Sequence, residues 1–197
     1  AFSTFPKMGE ILLPLFTLLL LVGSSADPHT FRLGFIVDTP PNYIPATYET
    51  LRVAEAVQRD RWNGKNLSLQ LVVRELSDVK ADVTALLDAD VDAVVGMRFS
   101  SRTETALEAV VQHPRPKPFI TFSATNDDLS GMPYFIRMVP PDSIEVAVAF
   151  STMAHFRWSN YLFVYSNDSY GINALAQRQL AHEEYGHFLG SIPVDVT

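Results

Sequence analysis

The sequence predicts an α/β protein in which a parallel β-sheet carries helices on both faces. Short apolar runs recur from Phe31 onward, and amphipathic stretches with helical spacing separate them. Such an alternation is typical of βαβ units, which build parallel sheets. Polar turns follow several of the apolar runs, at the positions where ligands bind in this fold class.

The composition is that of a globular protein and excludes several functions. The chain has 197 residues, a formal net charge of −7 and 47% hydrophobic residues, enough for one core or slightly more. The acidic balance disfavours nucleic acids and anionic membrane surfaces as partners. The absence of cysteine excludes disulfides, cysteine-based zinc sites and thiol catalysis.

The N-terminal segment predicts export. Residues 11–22, ILLPLFTLLLLV, are apolar over a stretch shorter than the about 20 residues that span a bilayer. The small residues GSSA follow at 23–26, so a secretory signal is predicted over residues 1–26. A short membrane anchor or a buried helix is the alternative.

Export would place the protein outside the cell, on the extracellular face of a membrane, or in the periplasm if the host is a bacterium. In a eukaryote, Asn66 and Asn167 would be glycosylation acceptors because both stand in N-x-S triplets.

The first strand and helix open the globular part. LGFIV at 33–37 is predicted as a buried strand, and residues 46–62 form a helix that Asn63-Gly64 ends through a left-handed cap. The next strand is LSLQLVV at 67–73. The inward face of the helix is expected to carry Tyr48, Leu51, Ala54 and Val57.

Two further helices and a short strand follow. Residues 77–89 form a helix whose N-cap is Ser77 or Asp78. Its inward face is expected to carry Val79, Val83, Leu86 and Leu87. DAVVG at 92–96 is a strand, and residues 102–112 form the third helix. That helix is expected to bury Leu107, Val110 and Val111.

The fourth and fifth strands, PFITF at 118–122 and YFIRMV at 134–139, lead to a proline pair. Pro140-Pro141 predicts a hinge, because the residue before a proline avoids helical geometry.

The strand and helix pattern restarts after the prolines, so the sequence predicts two lobes. Lobe 1 covers 31–139, and 140–197 forms a partial, truncated lobe 2. The elements of lobe 2 are predicted as a helix at 143–158, a strand at 161–166, a helix at 170–186 and a strand at 188–192.

The sequence carries no recognisable catalytic or metal motif. It has no G-x-G-x-x-G, P-loop or G-x-S-x-G pattern. His182 and His187 are five positions apart, which turns the second ring about 140° around a helix, so no zinc site is expected. Asp127 and Asp128 are expected to cap a turn or face solvent. No cofactor and no enzyme activity are expected; an α/β enzyme whose catalytic residues follow Thr197 is the alternative.

Two stretches resemble a known family. FITFSATNDDLSGMPYFIRMVPPDS at 119–143 and HFRWSNYLFVYSNDSYGINAL at 155–175 are similar to the receptor-family ligand-binding region. Its fold, the type I periplasmic-binding-protein fold, is shared by bacterial leucine/isoleucine/valine-binding proteins, natriuretic-peptide receptors and class C receptor ectodomains. The resemblance covers residues 31–192 and implies a ligand cleft between two α/β lobes.

The resemblance also implies a ligand site for an amino acid. In amino-acid-binding members, three turns hold the α-carboxylate and the α-amine of the ligand. Hydroxyl and backbone N–H groups suit the carboxylate, and an aromatic ring suits the ammonium. Met97 and Arg98 depart from the family, which usually has Gly or Pro there. The residues at the matching positions are Ser100, Ser101, Ser123, Ala124, Thr125 and Tyr170, which precedes Gly171.

Structural roles compete with these assignments. The hydroxyls of Ser123 and Thr125 would cap the polar turn, and one of the serines after the third strand would cap the following helix. Tyr170 would pack on the surface. Arg98 either pairs with an acidic ligand group or is a solvated loop arginine.

The function implied by the resemblance is that of an extracellular ligand-binding region of a receptor. It would bind a small molecule such as an amino acid and signal by lobe closure. A soluble solute-binding protein of an uptake system and a truncated, non-functional fragment are the alternatives. The expected partners are the small-molecule ligand, a membrane through a segment after Thr197, and a second copy through lobe 1.

Overall fold

The computed structural model describes residues 29–62, 65, 67–180 and 187–195. Its larger part is a five-stranded sheet in which every pair of neighbouring strands is parallel. The strands are β1 (His29–Val37), β2 (Leu67–Glu75), β3 (Ala93–Val95), β4 (Phe119–Thr121) and β5 (Phe135–Arg137). Their order across the sheet, β2-β1-β3-β4-β5, reverses direction between β1 and β3.

Helices connect consecutive strands, as the alternating pattern predicted. The connections are α1 (Ile44–Arg61), α2 (Val79–Asp88) and α3 (Ser100–Gln112), with 3-10 turns at Pro41–Tyr43 and Asp127–Leu129. β1 starts at His29, four residues before the predicted start, because its register with β2 continues back to the His29–Leu67 pair. The predicted α/β fold is thus confirmed, with shifted boundaries.

The core of this part lies on both faces of the sheet. Alternate strand residues face opposite sides, so Ile36 and Val94 pack with α2 and α3 while Leu33 and Val95 pack on the other face. The predicted inward residues of α2 are confirmed, since Val83, Leu86 and Leu87 are fully buried and Val79 packs against them. The side chain of Asp78 caps α2 by accepting a hydrogen bond from the amide of Ala81 (2.8 Å).

Two predicted core positions are wrong. Val57 and Val111 are 48% and 45% exposed. In α3 the buried stripe runs through Thr103, Ala106 and Val110, which leaves Val111 one position beyond it. In α1 the buried residue is Gln58, next to the predicted Val57.

The chain after β5 forms a second, smaller α/β unit. It consists of α4 (Asp142–Phe156), β6 (Asn160–Ser166), α5 (Ser169–Leu180) and β7 (His187–Val194). β6 and β7 pair in parallel as a two-stranded sheet. The strands expose large apolar side chains, those of Leu162, Val164, Leu189, Ile192 and Val194.

Several sequence predictions lie outside the described residues. These are the signal over 1–26, the cap at Asn63-Gly64, the glycosylation acceptor Asn66, and His182 of the His182/His187 pair. Among the helices that are described, none combines the length and apolar character needed to cross a bilayer.

One buried carboxylate holds the start of α2 in place. Asp82 is 1% exposed and accepts hydrogen bonds from the amides of Ser77 (2.7 Å) and Asp78 (2.9 Å) and from Nε of Arg74 (3.1 Å). Burial alone would raise the pKa of Asp82, but these hydrogen bonds outweigh it and hold the pKa below its ordinary value.

We expect Asp82→Asn to lower the free energy of unfolding by about 1–3 kcal/mol at pH 7, because the amide cannot accept all of these hydrogen bonds. The stabilisation by the carboxylate is present above its unfolded-state pKa of about 3.9 and is lost as the pH falls through the lower folded-state pKa. Urea unfolding of both proteins across this range measures it. Asp60→Asn, at an exposed position, is the control. Equal losses in the two variants, or a loss that does not depend on pH, would contradict the assignment.

Candidate functional site

The turn that follows β4 is tied to the loop that follows β3. The hydroxyl of Thr121 donates to the carbonyl of Met97 (3.1 Å) and accepts from the amide of Ala124 (3.2 Å). Because the strands are parallel, both segments lie at the carboxyl edge of the sheet, which is the ligand-binding edge in this fold class.

The loop after β3 turns sharply through two constrained residues. Gly96 lies against β1, where an added Cβ would come within 2.9 Å of the Cβ of Ile36. Met97 is fully buried and has a φ of 62°, a left-handed conformation that is rare for a residue with a side chain. Such strained residues are concentrated at functional sites. This turn directs Arg98 and Phe99 outward, and both are exposed.

The two serines that follow this loop have different surroundings. Ser100 is buried, and its hydroxyl oxygen accepts a hydrogen bond from the amide of Asn126 (3.3 Å). Ser101 is exposed. The prediction that one of them caps the helix is wrong, because α3 begins at Ser100 and the capping position is Phe99, which makes no side-chain cap bond.

The three residues of the S-A-T turn, 123–125, also differ in burial and contacts. Ser123 is exposed, whereas the Ala124 methyl group belongs to the core cluster that contains α2 and α3. Thr125 is buried, and its hydroxyl makes no hydrogen bond of normal geometry. The turn is capped by Asn126, whose Oδ1 accepts from the amide of Asp128 (2.8 Å). A capping role for the Thr125 hydroxyl is therefore not what the structure shows.

The backbone of Thr125 joins the turn to the start of α4. Its carbonyl oxygen accepts hydrogen bonds from the amide of Asp142 (2.9 Å) and from Nη1 of Arg137 (2.7 Å). Arg137 also donates to the hydroxyl of Ser130 (2.7 Å). The last residue of β5 and the first residue of α4 thus both hold the turn.

The Asp142 carboxyl group is buried beside the Thr125 hydroxyl, and the hydrogen bond between them falls short of normal geometry. The residue is 1% exposed, and neither carboxyl oxygen makes a hydrogen bond of normal geometry. Burial raises the pKa of Asp142 above its ordinary value, and the charges of Glu145 and Asp127 raise it further. The nearby Thr125 hydroxyl and Arg137 guanidinium offset only part of the rise.

Asp127 has the structural role expected from the sequence. Its carboxylate accepts hydrogen bonds from the amide (2.9 Å) and the hydroxyl (2.6 Å) of Ser143 in the first turn of α4. The amide of Asp127 donates to Oδ1 of Asn173 on α5 (3.1 Å). The same turn therefore contacts both helices of the second unit.

Tyr170 lies in the first turn of α5 and is 43% exposed. Burial of part of the phenol raises its pKa above the ordinary value. Nearby carboxylates increase the rise, those of Glu145, Asp142 and Asp168. Tyr170 therefore lies within the electrostatic reach of Asp142, although its ring is not packed into the core.

Gly171 is required next to Tyr170. An added Cβ would lie 2.1 Å from the carbonyl oxygen of Ser166, so only glycine lets α5 start this close to the end of β6. Asp168 fixes the turn by accepting hydrogen bonds from the hydroxyl of Ser166 (2.7 Å) and the amide of Gly171 (3.0 Å).

The six predicted ligand-binding residues therefore form a site only in part. Ser100 and Thr125 lie around one turn, and the link to Tyr170 is electrostatic, because the Asp142 carboxylate helps to raise the Tyr170 pKa. Ser101, Ser123 and the Ala124 side chain are not drawn into that cluster. The sequence prediction gave no site role to Asp142, Arg137 or Asn173; the P-P-D-S motif contributed to the family resemblance, and its prolines were interpreted as a hinge.

The larger unit also has an open surface groove. Its volume is about 490 Å³, and it runs along the carboxyl ends of β1 and β3. None of the six predicted residues lines it. The lining residues are Thr39, Pro40, Tyr43, Ala46, Thr47, Thr50 and Arg98.

The predicted glycosylation acceptor Asn167 is among the described residues. Asn167 is exposed, and its side-chain amide donates to Asp195 (3.1 Å). Within the part of the chain that the structure describes, no three His, Cys, Asp or Glu side chains are grouped so as to hold a metal ion.

The fold matches solved structures of binding proteins. A leucine-, isoleucine-, valine-, threonine- and alanine-binding protein from Brucella ovis, in a closed conformation, matches with a TM-score of 0.70 and 13% sequence identity, over 85% of this chain and 48% of that one. A solute-binding protein of an ABC transporter from Rhodopseudomonas palustris BisB5, in complex with 3,4-dihydroxybenzoic acid, matches with a TM-score of 0.66 and 16% identity, over 84% and 47%.

A third match is an ABC transporter substrate-binding protein from Desulfitobacterium hafniense, with a TM-score of 0.65 and 17% identity, over 86% of this chain and 52% of that one. This chain thus spans about half the length of the solved structures it matches. At these identities the likeness establishes the fold alone. The partial coverage of the matched structures agrees with the predicted incomplete lobe 2.

The family is established by sequence. The family described as "Receptor family ligand binding region" matches residues 55–188, which is more than half of the chain. The match includes the turn after β4, the start of α4 and Tyr170. The chain therefore belongs to the receptor ligand-binding-region family and has the type I periplasmic-binding-protein fold.

Proposed function

We propose that this chain is part of an exported ligand-binding region that holds a small molecule between two lobes. The chain contains lobe 1 and part of lobe 2. The lobes are residues 31–139 and 140–197, and the ligand contacts are Ser100, Thr125 and Tyr170, with Ser101, Ser123 and the backbone of Ala124 at the rim. Amino acids are the first candidates, because the Brucella ovis neighbour is described as an amino-acid-binding protein. An aromatic acid is the second, after the dihydroxybenzoic acid of another neighbour.

The observation that carries this proposal is a pair of buried polar groups, the Thr125 hydroxyl and the Asp142 carboxyl group, whose mutual hydrogen bond falls short of normal geometry. The hydroxyl of Thr125 and both oxygens of Asp142 are buried and make no hydrogen bond of normal geometry. Buried polar groups in folded proteins are nearly always hydrogen-bonded, so exceptions point to a functional site. These exceptions lie at the carboxyl edge of a parallel sheet, where the two units meet.

The charges at this junction suit an amino acid. The carboxylates of Glu145, Asp142 and Asp168 are close enough to Tyr170 to raise the pKa of its phenol. Together with the ring face, they favour a ligand ammonium group. The Thr125 hydroxyl can donate to the carboxylate of the same ligand. Closing the lobes would bury the ligand and convert its binding into motion.

Two roles for the complete protein are compatible with such a site. A receptor would carry an apolar segment of about 20 residues after a full second lobe and transmit closure across a membrane. An uptake protein would lack that segment; the solute-binding neighbours favour this second candidate. Sequencing the transcript past Thr197 distinguishes the two. Glycosylation at Asn66 and Asn167 and pairing of two copies through lobe 1 belong to the receptor proposal.

Binding is tested by titration calorimetry of the chain against a panel of L-amino acids and 3,4-dihydroxybenzoate. We expect one class to bind, and Thr125→Val to weaken that binding about tenfold, since valine keeps the shape of threonine but removes the donor. The variant should melt within a few degrees of the wild type, because the lost hydroxyl makes no hydrogen bond of normal geometry and interacts only weakly with the Asp142 carboxyl group. Thr152→Val, an exposed change on α4, is the control.

No binding across the panel would overturn the small-molecule proposal for this chain. Equal binding by the wild type and Thr125→Val would remove Thr125 from the site.

The unpaired carboxylate should also appear as a defect in stability. Because the pKa of Asp142 is higher in the folded than in the unfolded state, its destabilisation is absent below the unfolded-state pKa and develops as the pH rises. We expect Asp142→Asn to raise the melting temperature by about 2–4 °C at pH 7.5, equivalent to about 1 kcal/mol. At pH 4 the gain should disappear. Asp128→Asn, an exposed neighbour, should change neither value. A lower melting temperature at pH 7.5 would show that the carboxylate stabilises the fold.

A further inference from the structure

Asn173 on α5 is a buried side chain whose hydrogen bond crosses from one unit of the molecule to the other. It is 6% exposed, and its Oδ1 accepts from the amide of Asp127 (3.1 Å), which lies 46 positions earlier in the turn after β4. Because the donor is a backbone N–H, the side-chain oxygen of Asn173 must face it. The bond therefore fixes one point of α5 against the turn.

The turn that donates this bond is itself held firmly. The carboxylate of Asp127 accepts from the amide (2.9 Å) and the hydroxyl (2.6 Å) of Ser143 in α4. Asn126 accepts from the amide of Asp128 (2.8 Å), and its side-chain amide donates to Glu104 on α3 (3.0 Å). The direction of the Asp127 N–H is thus set by contacts on both sides of the turn.

At its other side α5 is attached to the two-stranded sheet of the second unit. Gly171 lies so close to the end of β6 that an added Cβ would come within 2.1 Å of the carbonyl oxygen of Ser166. Arg178 donates from Nε to the phenol oxygen of Tyr161 on β6 (2.9 Å), and its central carbon lies 3.5 Å from the ring centroid of Phe188 on β7. A bond between α5 and the turn therefore orients the whole second unit.

Asn173 also influences where Tyr170 points. The two residues are three positions apart on α5 and so lie on the same face of the helix. α5 contacts α3 across the junction as well as α4 in its own unit. The orientation of Tyr170 toward the turn that carries Thr125 thus depends on the contact that Asn173 makes.

A neutral acceptor suits this place better than a charged one. The starts of α4 and α5 already carry the carboxylates of Asp142, Glu145 and Asp168, and Asp127 lies beside them. The amide oxygen of Asn173 accepts the hydrogen bond without adding a further like charge. A single hydrogen bond between neutral groups is also weak enough to break, as a contact between two moving lobes must.

We propose that Asn173 is a latch between the lobes: in the protein without ligand, its bond to the Asp127 amide holds lobe 2 at the angle at which Tyr170 faces the ligand site. Asn173 is a positioning residue, because it acts through Tyr170 and not on the ligand. Such preorganisation raises affinity by removing the cost of ordering the lobes when the ligand binds. The latch is independent of the ligand, whereas its effect on affinity rests on the proposed function.

The angle between the lobes can be measured without a ligand. Because the chain has no cysteine, Gln112→Cys on α3 and Gln179→Cys on α5, both exposed, direct two spin labels to chosen positions. We expect double electron–electron resonance to give one narrow distance distribution. Asn173→Leu keeps the shape of the side chain, removes the acceptor and should broaden the distribution. Asn160→Leu, the same change at the exposed start of β6, should leave it narrow.

The effect on binding is measured by calorimetric titration with L-leucine. Asn173→Leu should weaken binding about tenfold, and so should Tyr170→Ala. The double variant should bind little more weakly than Tyr170→Ala alone, because Asn173 acts through Tyr170. A role in stability alone would instead give losses that add.

The outcomes separate the latch from the proposed function. An unchanged distance distribution in Asn173→Leu, or equal broadening in Asn160→Leu, would overturn the latch. Asn173→Ser, whose side chain is shorter, repeats the measurement if the leucine variant does not fold. Additive losses of affinity would overturn the positioning role. A broadened distribution without binding of L-leucine or any other member of the panel would overturn the proposed function while the latch stands.

Discussion

The turn after β4 is the point at which the two units of the molecule are joined, and the rest of the site depends on it. The Thr121 hydroxyl ties the turn to the loop after β3, and the Ser100 hydroxyl accepts a hydrogen bond from the amide of Asn126. The Thr125 carbonyl takes the first amide of α4, and Asp127 is bonded to Asn173 on α5. Each of these bonds has one partner in β4, α3, α4 or α5. The turn thus connects β4 with the loop after β3 and with the two helices of the second unit.

This junction is built at some expense of stability. A fully buried methionine with positive φ lies beside it, as do a buried carboxyl group and a buried threonine hydroxyl that make no hydrogen bond of normal geometry. Each of these features is unfavourable in a protein selected only for folding. A ligand that supplies an ammonium group to the carboxylates and an acceptor to the hydroxyl would satisfy them.

The fold could be predicted from the sequence because strand and helix signals depend on local apolar spacing, and those spacings agree with the topology. The faces of α1 and α3 were less predictable, since Val57 and Val111 fit the helical period but lie beyond the part of the helix that the sheet covers. Ser100 was predicted as a cap because serine is common at that position. It is instead the first residue of α3, and its hydroxyl accepts a hydrogen bond from the amide of Asn126. The burial of Asp142 depends on contacts that only the folded chain brings together.

The central claim is that the turn after β4, the loop after β3 and the first turns of α4 and α5 form one ligand site. Titration of the isotopically labelled chain with L-leucine, followed by backbone amide NMR shifts, tests it most directly. The account predicts shifts confined to residues 97–101, 123–127, 142–145 and 168–173. Shifts at the opposite edge of the sheet, around 88–92 and 113–118, or no shifts at all, would contradict it.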